Sequence, residues 1–204
     1  MTKDFWNERY KTTEFVYGTE PNVFFAEQLL KLPKGKILMP ADGEGRNSVF
    51  AGKSGWQVVA FDLSEIAVQK AALYAINQNV TNVEFHVSDI MNFSLENETF
   101  DAIGLVFMHL PLEIRKAAHY RIVSALKSGG KIVFEAFSKK QAQLQKQKDS
   151  GGPKLEELLF SIEEIMEEFD GIVFEYIEEQ NIILNESPSH FGEAFVIRFI
   201  GRKE

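Results

Sequence analysis

Three carboxylates stand where apolar runs end: Asp42 after Ile37-Leu38-Met39-Pro40-Ala41, Asp62 after Val58-Val59-Ala60-Phe61, and Asp89 just past residues 83–87. A fourth, Glu44, shares the small-residue turn Ala41-Asp42-Gly43-Glu44-Gly45 with Asp42. Small residues between a strand and a helix let a ligand approach the backbone closely. The two acids then select its charge. They would repel a pyrophosphate by about 1 to 4 kcal/mol per close pair, whereas a cation gains from both. A dinucleotide fingerprint would also need glycine three places after Gly45, where Ser48 stands. Arg46 either meets a ligand carboxylate or points away. Asp62 is placed to accept hydrogen bonds from ribose hydroxyls, and since Ser64 already serves to cap the next helix, that reading is preferred over capping. Asp89 is placed to meet an adenine amino group while Ile90 packs on the ring, with a plain loop aspartate as the alternative.

Four further residues are candidates for handling a substrate. His109 directly follows the fourth apolar run, and His190 precedes the last one. Arg115 could recognise an anion or be an exposed helix arginine. Glu135 lies inside an apolar strand, where a carboxylate needs a partner or a ligand. Trp6, Tyr10 and Tyr17 could offer aromatic faces to a cation, a contact worth about 0.5 to 2 kcal/mol. There is no cysteine, hence no thiolate metal site and no disulfide, and no metal is expected.

The elements that would position these groups alternate. Strand-like runs at residues 36–39, 57–61, 83–87, 100–107 and 131–136 are separated by segments of helical period at 48–53, 65–77 and 113–126, the pattern of parallel strands with crossover helices. Ser64 caps the second of these helices, and Gly129 and Gly130 are expected to stop the third. Residues 138–154 turn polar and read as a mobile connection. Ser161 caps a helix to residue 169, whose Glu163, Glu164, Glu167 and Glu168 read as a solvated face. Residues 175–184 and 194–201 have no helix between them and read as a closing antiparallel pair.

The 204 residues suit one domain with one sizeable core, and 45% hydrophobic with 25% charged residues is the balance of a globular protein. A formal charge of -8 gives no basic footprint for nucleic acid or anionic lipid. No apolar stretch approaches the roughly 20 residues of a membrane helix, and the charged, aromatic start is unlike a signal peptide. A cytoplasmic monomer or homodimer with a small-molecule partner is expected. S-adenosylmethionine, which carries a sulfonium and an ammonium but no phosphate, suits the acidic turn better than a nicotinamide dinucleotide.

With the acidic landmarks placed, the chain resembles the class I methyltransferases, and more narrowly their tellurite-resistance-type, small-molecule branch. The likeness spans nearly the whole sequence. Its markers, specific when taken in order, are Phe5-Trp6-Asn7-Glu8-Arg9-Tyr10, Tyr17-Gly18-Thr19-Glu20-Pro21-Asn22, Gly43-Glu44-Gly45-Arg46-Asn47-Ser48, His109-Leu110-Pro111 with Arg115, residues 126–130, Gly151-Gly152-Pro153, and His190 with Gly192. The resemblance implies an α/β, doubly wound three-layer sandwich with a mostly parallel seven-stranded sheet ending in an antiparallel strand. It implies that Gly43, Gly45 and Asn47 cradle the methionine part of S-adenosylmethionine, that Asp62 holds the ribose, that Asp89 faces adenine, that Phe107 borders the methyl donor, and that Ala41, Asp42, Leu63 and Ile90 also belong to the cofactor site. Residues 1–30, with Arg9, Tyr17 and Gly18, would form a lid on the single domain 1–204. Two positions depart from the pattern: Met39 stands where the wider superfamily has an acid, and Ala41 replaces the first glycine, so that Asp42 or Glu44 supplies the missing carboxylate.

Methyl transfer from a sulfonium is an in-line displacement with a neutral leaving group, S-adenosylhomocysteine. Alignment alone can contribute roughly 7 to 11 kcal/mol, and a base is needed only if the acceptor starts protonated. For a thiolate or a metalloid oxyanion none is required, so no nucleophile is assigned. A catalytically silent S-adenosylmethionine-binding protein is the alternative that Met39 and Ala41 suggest. A nicotinamide-dependent oxidoreductase on the same layout is opposed by the acidic turn.

Overall fold

The fold follows from strands that are apolar on both sides. In β1 (Lys36–Pro40), Leu38 faces one way and Ile37 and Met39 the other, and all three are buried. The same alternation in β2 (Gln57–Asp62), β4 (Phe100–Val106) and β5 (Leu126–Phe137) feeds two separate cores, so helices must cover both faces. A computed structural model describes residues 2–148 and 150–204. It contains a seven-stranded sheet in the order β3-β2-β1-β4-β5-β7-β6, where β3 is Val83–Val87, β6 is Ile172–Ser187 and β7 is His190–Lys203. Only β7 runs antiparallel to its neighbours, pairing β5 and β6. The architecture is the expected doubly wound α/β sandwich.

On one face lie α2 (Val23–Leu29) and α3 (Arg46–Lys53), with α4 (Glu65–Asn77) beside α3. On the other lie α5 (Leu112–Ala125) and α7 (Ile162–Glu168). Helix α4 starts where Ser64 Oγ accepts from Ala67 N at 3.1 Å, and its buried Ala67, Ala71 and Ala75 form a stripe of small residues. That stripe lets the glycine turn approach closely: a Cβ on Gly45, whose φ is +88°, would sit 2.8 Å from the Ala71 methyl. Helix α7 has the full capping box between Ser161 and Glu164.

Several expectations are corrected. Helix α5 ends at Ala125 without a glycine stop: Leu126 is already extended, and residues 127–130 belong to β5. The polar segment after β5 is tied down, since Gln141 is fully buried and bonds to Ser150 and Gly151, while Gln145 bonds to Gly151 and Gly152. Of the four α7 glutamates, Glu163 and Glu167 are exposed, but Glu164 and Glu168 turn inward onto Arg115. Two further helices were not read from the sequence: α1 (Lys3–Tyr10) and the short α6 (Gln141–Leu144). Nor was α2, because Val23, Phe24 and Phe25 in succession mask the helical period.

Candidate active site

Sheet order reverses between β1 and β4, and open parallel sheets bind ligands at the carboxyl ends of strands at such a switch point. A cavity of about 920 Å³ lies there. Ala41, Asp42 and Gly43 reach it from the turn, Asp62 and Leu63 from the end of β2, Asp89 and Ile90 from beyond β3, and Phe107 from beyond β4. Asn47 reaches it from α3, and Arg9, Tyr17 and Gly18 from the amino-terminal segment. Gly45 does not line it: it is the helix N-cap packed against Ala71.

The turn is built around two carboxylates of different kinds. Asp62 is buried and holds the loop, its Oδ2 accepting from Gly43 N at 2.9 Å and its Oδ1 from Ser64 N at 2.8 Å. Asp42 is bonded by Ser48 Oγ at Oδ2, but its Oδ1 is shut off from solvent with no partner among the described residues. Burial, reinforced by the nearby Asp62 charge, pushes the Asp42 carboxyl up to about 7 against the pull of the Ser48 hydrogen bonds and Arg46. Backbone strain accompanies it. Ala41 and Phe107, at the ends of β1 and β4, both have φ of +52°, a left-handed conformation that costs an L-residue roughly 1 to 2 kcal/mol.

The other polar residues of the turn hold the amino-terminal segment. Glu44 Oε2 accepts from Val16 N at 2.8 Å, and Glu44 also pairs with Lys70, whose ammonium bonds the carbonyls of Tyr10, Thr12 and Glu14. Asn47 Oδ1 accepts from Asn22 N at 2.9 Å, so its amide carbonyl is committed to that segment. Arg46 pairs with Glu186 at 2.9 Å, which turns it away from a ligand carboxylate. Across the cavity mouth, Trp6, Tyr10, Tyr17 and His190 form a chain of ring contacts, and Arg9 donates to the Tyr17 hydroxyl at 2.8 Å. Asp89 takes part in the cavity wall, yet its carboxylate is held by Met91 N, Asn92 N and Asn92 Nδ2 in its own turn.

Of the four substrate-handling candidates, two line the cavity and two do not. His109 lies on the wall, but its Nδ1 bonds Leu158 O at 2.7 Å and its Nε2 accepts from Phe137 N at 3.3 Å. Burial brings its pKa down to about 4, so it is a neutral structural strut with no free nitrogen. His190 lines the cavity beside Phe107. Arg115 is buried in a fork to Glu168 at 2.7 to 3.0 Å and to the carbonyls of Glu157 and Leu159, with His119 Nδ1 2.9 Å from the same Glu168. It cross-links α5 to α7 and does not line the cavity. Glu135 pairs with Arg198 and accepts from Asn22 Nδ2 at 2.7 Å, which supplies the partner its burial demands and leaves it outside the cavity. Sequence reading missed Glu186, Asn22 and Lys70. Asn22 had a signal in the Tyr17 to Asn22 marker; Glu186 and Lys70 had none.

Residues 37–130 match a family model described as a methyltransferase domain. That stretch, just under half of the chain, is similar to a methyltransferase domain. It carries the glycine turn, Asp62, Asp89 and Phe107. A 107-residue stretch is 31% identical to 2-heptyl-1-hydroxyquinolin-4(1H)-one methyltransferase of Mycobacteroides abscessus, covering 52% of this chain and 47% of that protein. The match thus spans about half the length of each. Among solved structures, TehB from Haemophilus influenzae is similar over 99% of this chain and 67% of that one, with a TM-score of 0.70 and 19% identity. A chain from work on conversion of a disulfide bond into a thioacetal group during echinomycin biosynthesis is similar over 99% of this chain and 92% of that one, at TM-score 0.77 and 18% identity. At these identities the two structures establish the fold alone: a doubly wound α/β sandwich. No helix among the described residues is long and apolar enough to cross a membrane.

Proposed function

We propose that the chain is a cytoplasmic S-adenosylmethionine-dependent methyltransferase whose acceptor is a small molecule with an apolar body bearing a thiol or hydroxyl. The observation that carries this reading is a single cavity that runs from a carboxylate-bearing turn into an apolar chamber walled by Leu110, Ile114, Phe137, Leu155 and Leu158. The residues fit the methyl donor: the buried, partnerless Asp42 Oδ1 suits an ammonium, and each Asp62 oxygen, holding one backbone N–H, keeps a lone pair for a ribose hydroxyl. Ile90 and Leu63 would pack on the nucleoside, Gly43 would admit the methionine part, and Phe107 would border the methyl group. When bound, S-adenosylmethionine supplies an electrophilic methyl carbon on a cationic sulfur. The aromatic rings of Trp6, Tyr10 and Tyr17, which line the cavity, would offer their faces to that cationic charge and, with the rest of residues 2–30 as a lid, would exclude water.

A metalloid oxyanion, the acceptor that the tellurite-resistance-type resemblance suggests, is disfavoured by charge. Asp42, Glu44, Asp62 and Asp89 line the cavity against Arg9, Arg46 and Lys154, and Arg46 is paired with Glu186. The relative that methylates a hydroxyquinolinone supports an apolar aromatic acceptor instead. Calorimetric titration with S-adenosylhomocysteine, followed by labelled-methyl transfer to a panel of aryl thiols, alkane thiols, phenols and hydroxy-heteroaromatics, tests the proposal. Absence of heat with folded protein would sink it. Binding without transfer to any acceptor would leave the catalytically silent binder that Met39 and Ala41 suggest. Faster methylation of tellurite or selenite than of the apolar panel would restore the oxyanion reading.

A further inference from the structure

His190 and Glu186 flank the tip of the β6–β7 hairpin, four residues apart across Ser187, Pro188 and Ser189. Ser187 Oγ accepts from the backbone N–H of both Ser189 and His190 at 3.2 Å, which fixes the turn. Glu186 Oε2 lies 3.2 Å from His190 Nδ1 and 2.9 Å from an Arg46 guanidinium nitrogen, while its Oε1 accepts from Asn22 Nδ2 at 2.9 Å. An ionised carboxylate can only accept, so Nδ1 must carry the imidazole proton and Nε2 the lone pair. Among the described residues no hydrogen bond is made to that Nε2. The ring is held in place by Tyr17 at 4.7 Å, Phe107 at 4.6 Å and Phe137 at 5.4 Å between centroids. Gly151 closes the remaining side: a Cβ there would sit 2.9 Å from His190 Cδ2, the carbon bonded to Nε2. His190 lines the same cavity as Phe107 and the apolar chamber.

We propose that His190 Nε2, oriented by Glu186 as a positioning residue, is the general base of this site, and that the acceptor therefore presents its reactive atom as a protonated hydroxyl or thiol. This rests on the methyltransferase reading above. His190 Nε2 takes the proton of the acceptor X–H as X bonds to the methyl carbon, while the carbon–sulfur bond breaks and its electron pair stays on sulfur. X–CH₃, a neutral thioether and an imidazolium result, and the imidazolium then releases its proton to solvent. Glu186 stabilises the imidazolium during the step. The charged and titratable groups facing the ring are Glu186 on β6, Arg46 on α3, Arg9 and Tyr17 on the lid, and His109 after β4. Burial lowers the His190 pKa, the Glu186 hydrogen bond opposes this, and Arg46 lowers it again, so the base is neutral and ready at neutral pH. Glu186 itself resists protonation: burial would raise it, but the His190 hydrogen bond and the Arg46 charge bring it down to about 2.

The test compares two probe acceptors, 1-naphthol, which is protonated at neutral pH, and pentafluorothiophenol, which is already a thiolate. For His190→Asn, kcat with 1-naphthol should fall about 10²- to 10⁴-fold, while kcat with the thiolate changes less than about threefold and S-adenosylhomocysteine affinity is unchanged. The acid limb that wild-type kcat shows below neutrality should vanish, leaving a rate that follows ionisation of the naphthol. Glu186→Gln should shift that limb to lower pH. In the cofactor-free wild type, nitrogen NMR of His190 should show the Nδ1-protonated neutral tautomer with a titration below that of free histidine, a readout that stands even if a variant fails to fold. Equal losses on both acceptors, no loss on naphthol, an Nε2-protonated tautomer, or a wild type that methylates only the pre-ionised thiol would each overturn the base. A wild type that binds no S-adenosylhomocysteine would instead remove the methyltransferase reading.

Discussion

The partnerless oxygen of Asp42 makes a demand that can be measured as a pH dependence. With its carboxyl pushed up to about 7 by burial and by Asp62, Asp42 is roughly half neutral in the free protein at neutral pH. A cation bound at Oδ1 favours the carboxylate, so the bound state has the lower pKa. Affinity for S-adenosylhomocysteine, whose ammonium is its only cationic centre, is therefore full above the free-state value and declines as pH falls through it. The ionised fraction changes from roughly nine-tenths near pH 8 to roughly one-tenth near pH 6, so the affinity should fall about tenfold across that interval. Near pH 7, binding should release about half a proton, visible as a buffer-dependent enthalpy in calorimetry. Asp42→Asn keeps the shape and the Ser48 contact but removes the charge. It should weaken binding above pH 7 by about 1.5 to 3 kcal/mol, the range for a hydrogen bond to a charged group, and abolish both the pH dependence and the proton release. Wild-type affinity that is flat over this range, or an Asn variant that still releases protons on binding, would refute the assignment of Asp42 to the ammonium.

Three other outcomes follow from the geometry. Asp62→Ala should cost about 1.5 to 3 kcal/mol in S-adenosylhomocysteine affinity and also lower thermal stability, because the N–H groups of Gly43 and Ser64 lose their acceptor; a thermal midpoint equal to wild type would show that the turn does not depend on it. Ala41→Gly relieves a φ of +52° and should stabilise the fold by up to about 1 kcal/mol after the entropy of glycine is subtracted, read by chemical denaturation, with destabilisation counting against the strain. Glu168→Ala removes the nearer of the two carboxylates on the buried Arg115, leaving Glu164 at 3.6 Å, and should cost on the order of 3 kcal/mol of folding stability; an unchanged cofactor affinity in the folded fraction would separate this cross-link from the site, and a selective loss of affinity would join them.

Much of the scaffold was legible because its signals are local. Apolar runs bounded by polar turns marked β1 to β5, and Ser64 and Ser161 marked helix starts, since a strand buried on both faces and a capped helix each write their requirement into neighbouring residues. Asp42 and Asp62 were placed by the same logic, at the tips of strands whose parallel order sends all their carboxyl ends to one edge. Asp89 was placed there too, and its carboxylate also closes its own loop with Asn92 three residues on. The amino-terminal helices were obscured because α1 has only one buried residue and α2 packs through consecutive phenylalanines.

By itself, then, the sequence determined the order of strands and helices, the acidic turn and the likeness to a methyltransferase domain, all of which depend on residues near one another along the chain. Tertiary structure decided which polar residues are free to act. Arg115, Glu135 and Asn47 are taken up by Glu168, Arg198 and Asn22, whereas the His190 ring is bonded to a glutamate that itself pairs with Arg46 at the start of α3. A buried charge is defined by its partner, and partners this far apart along the chain meet only once it has folded.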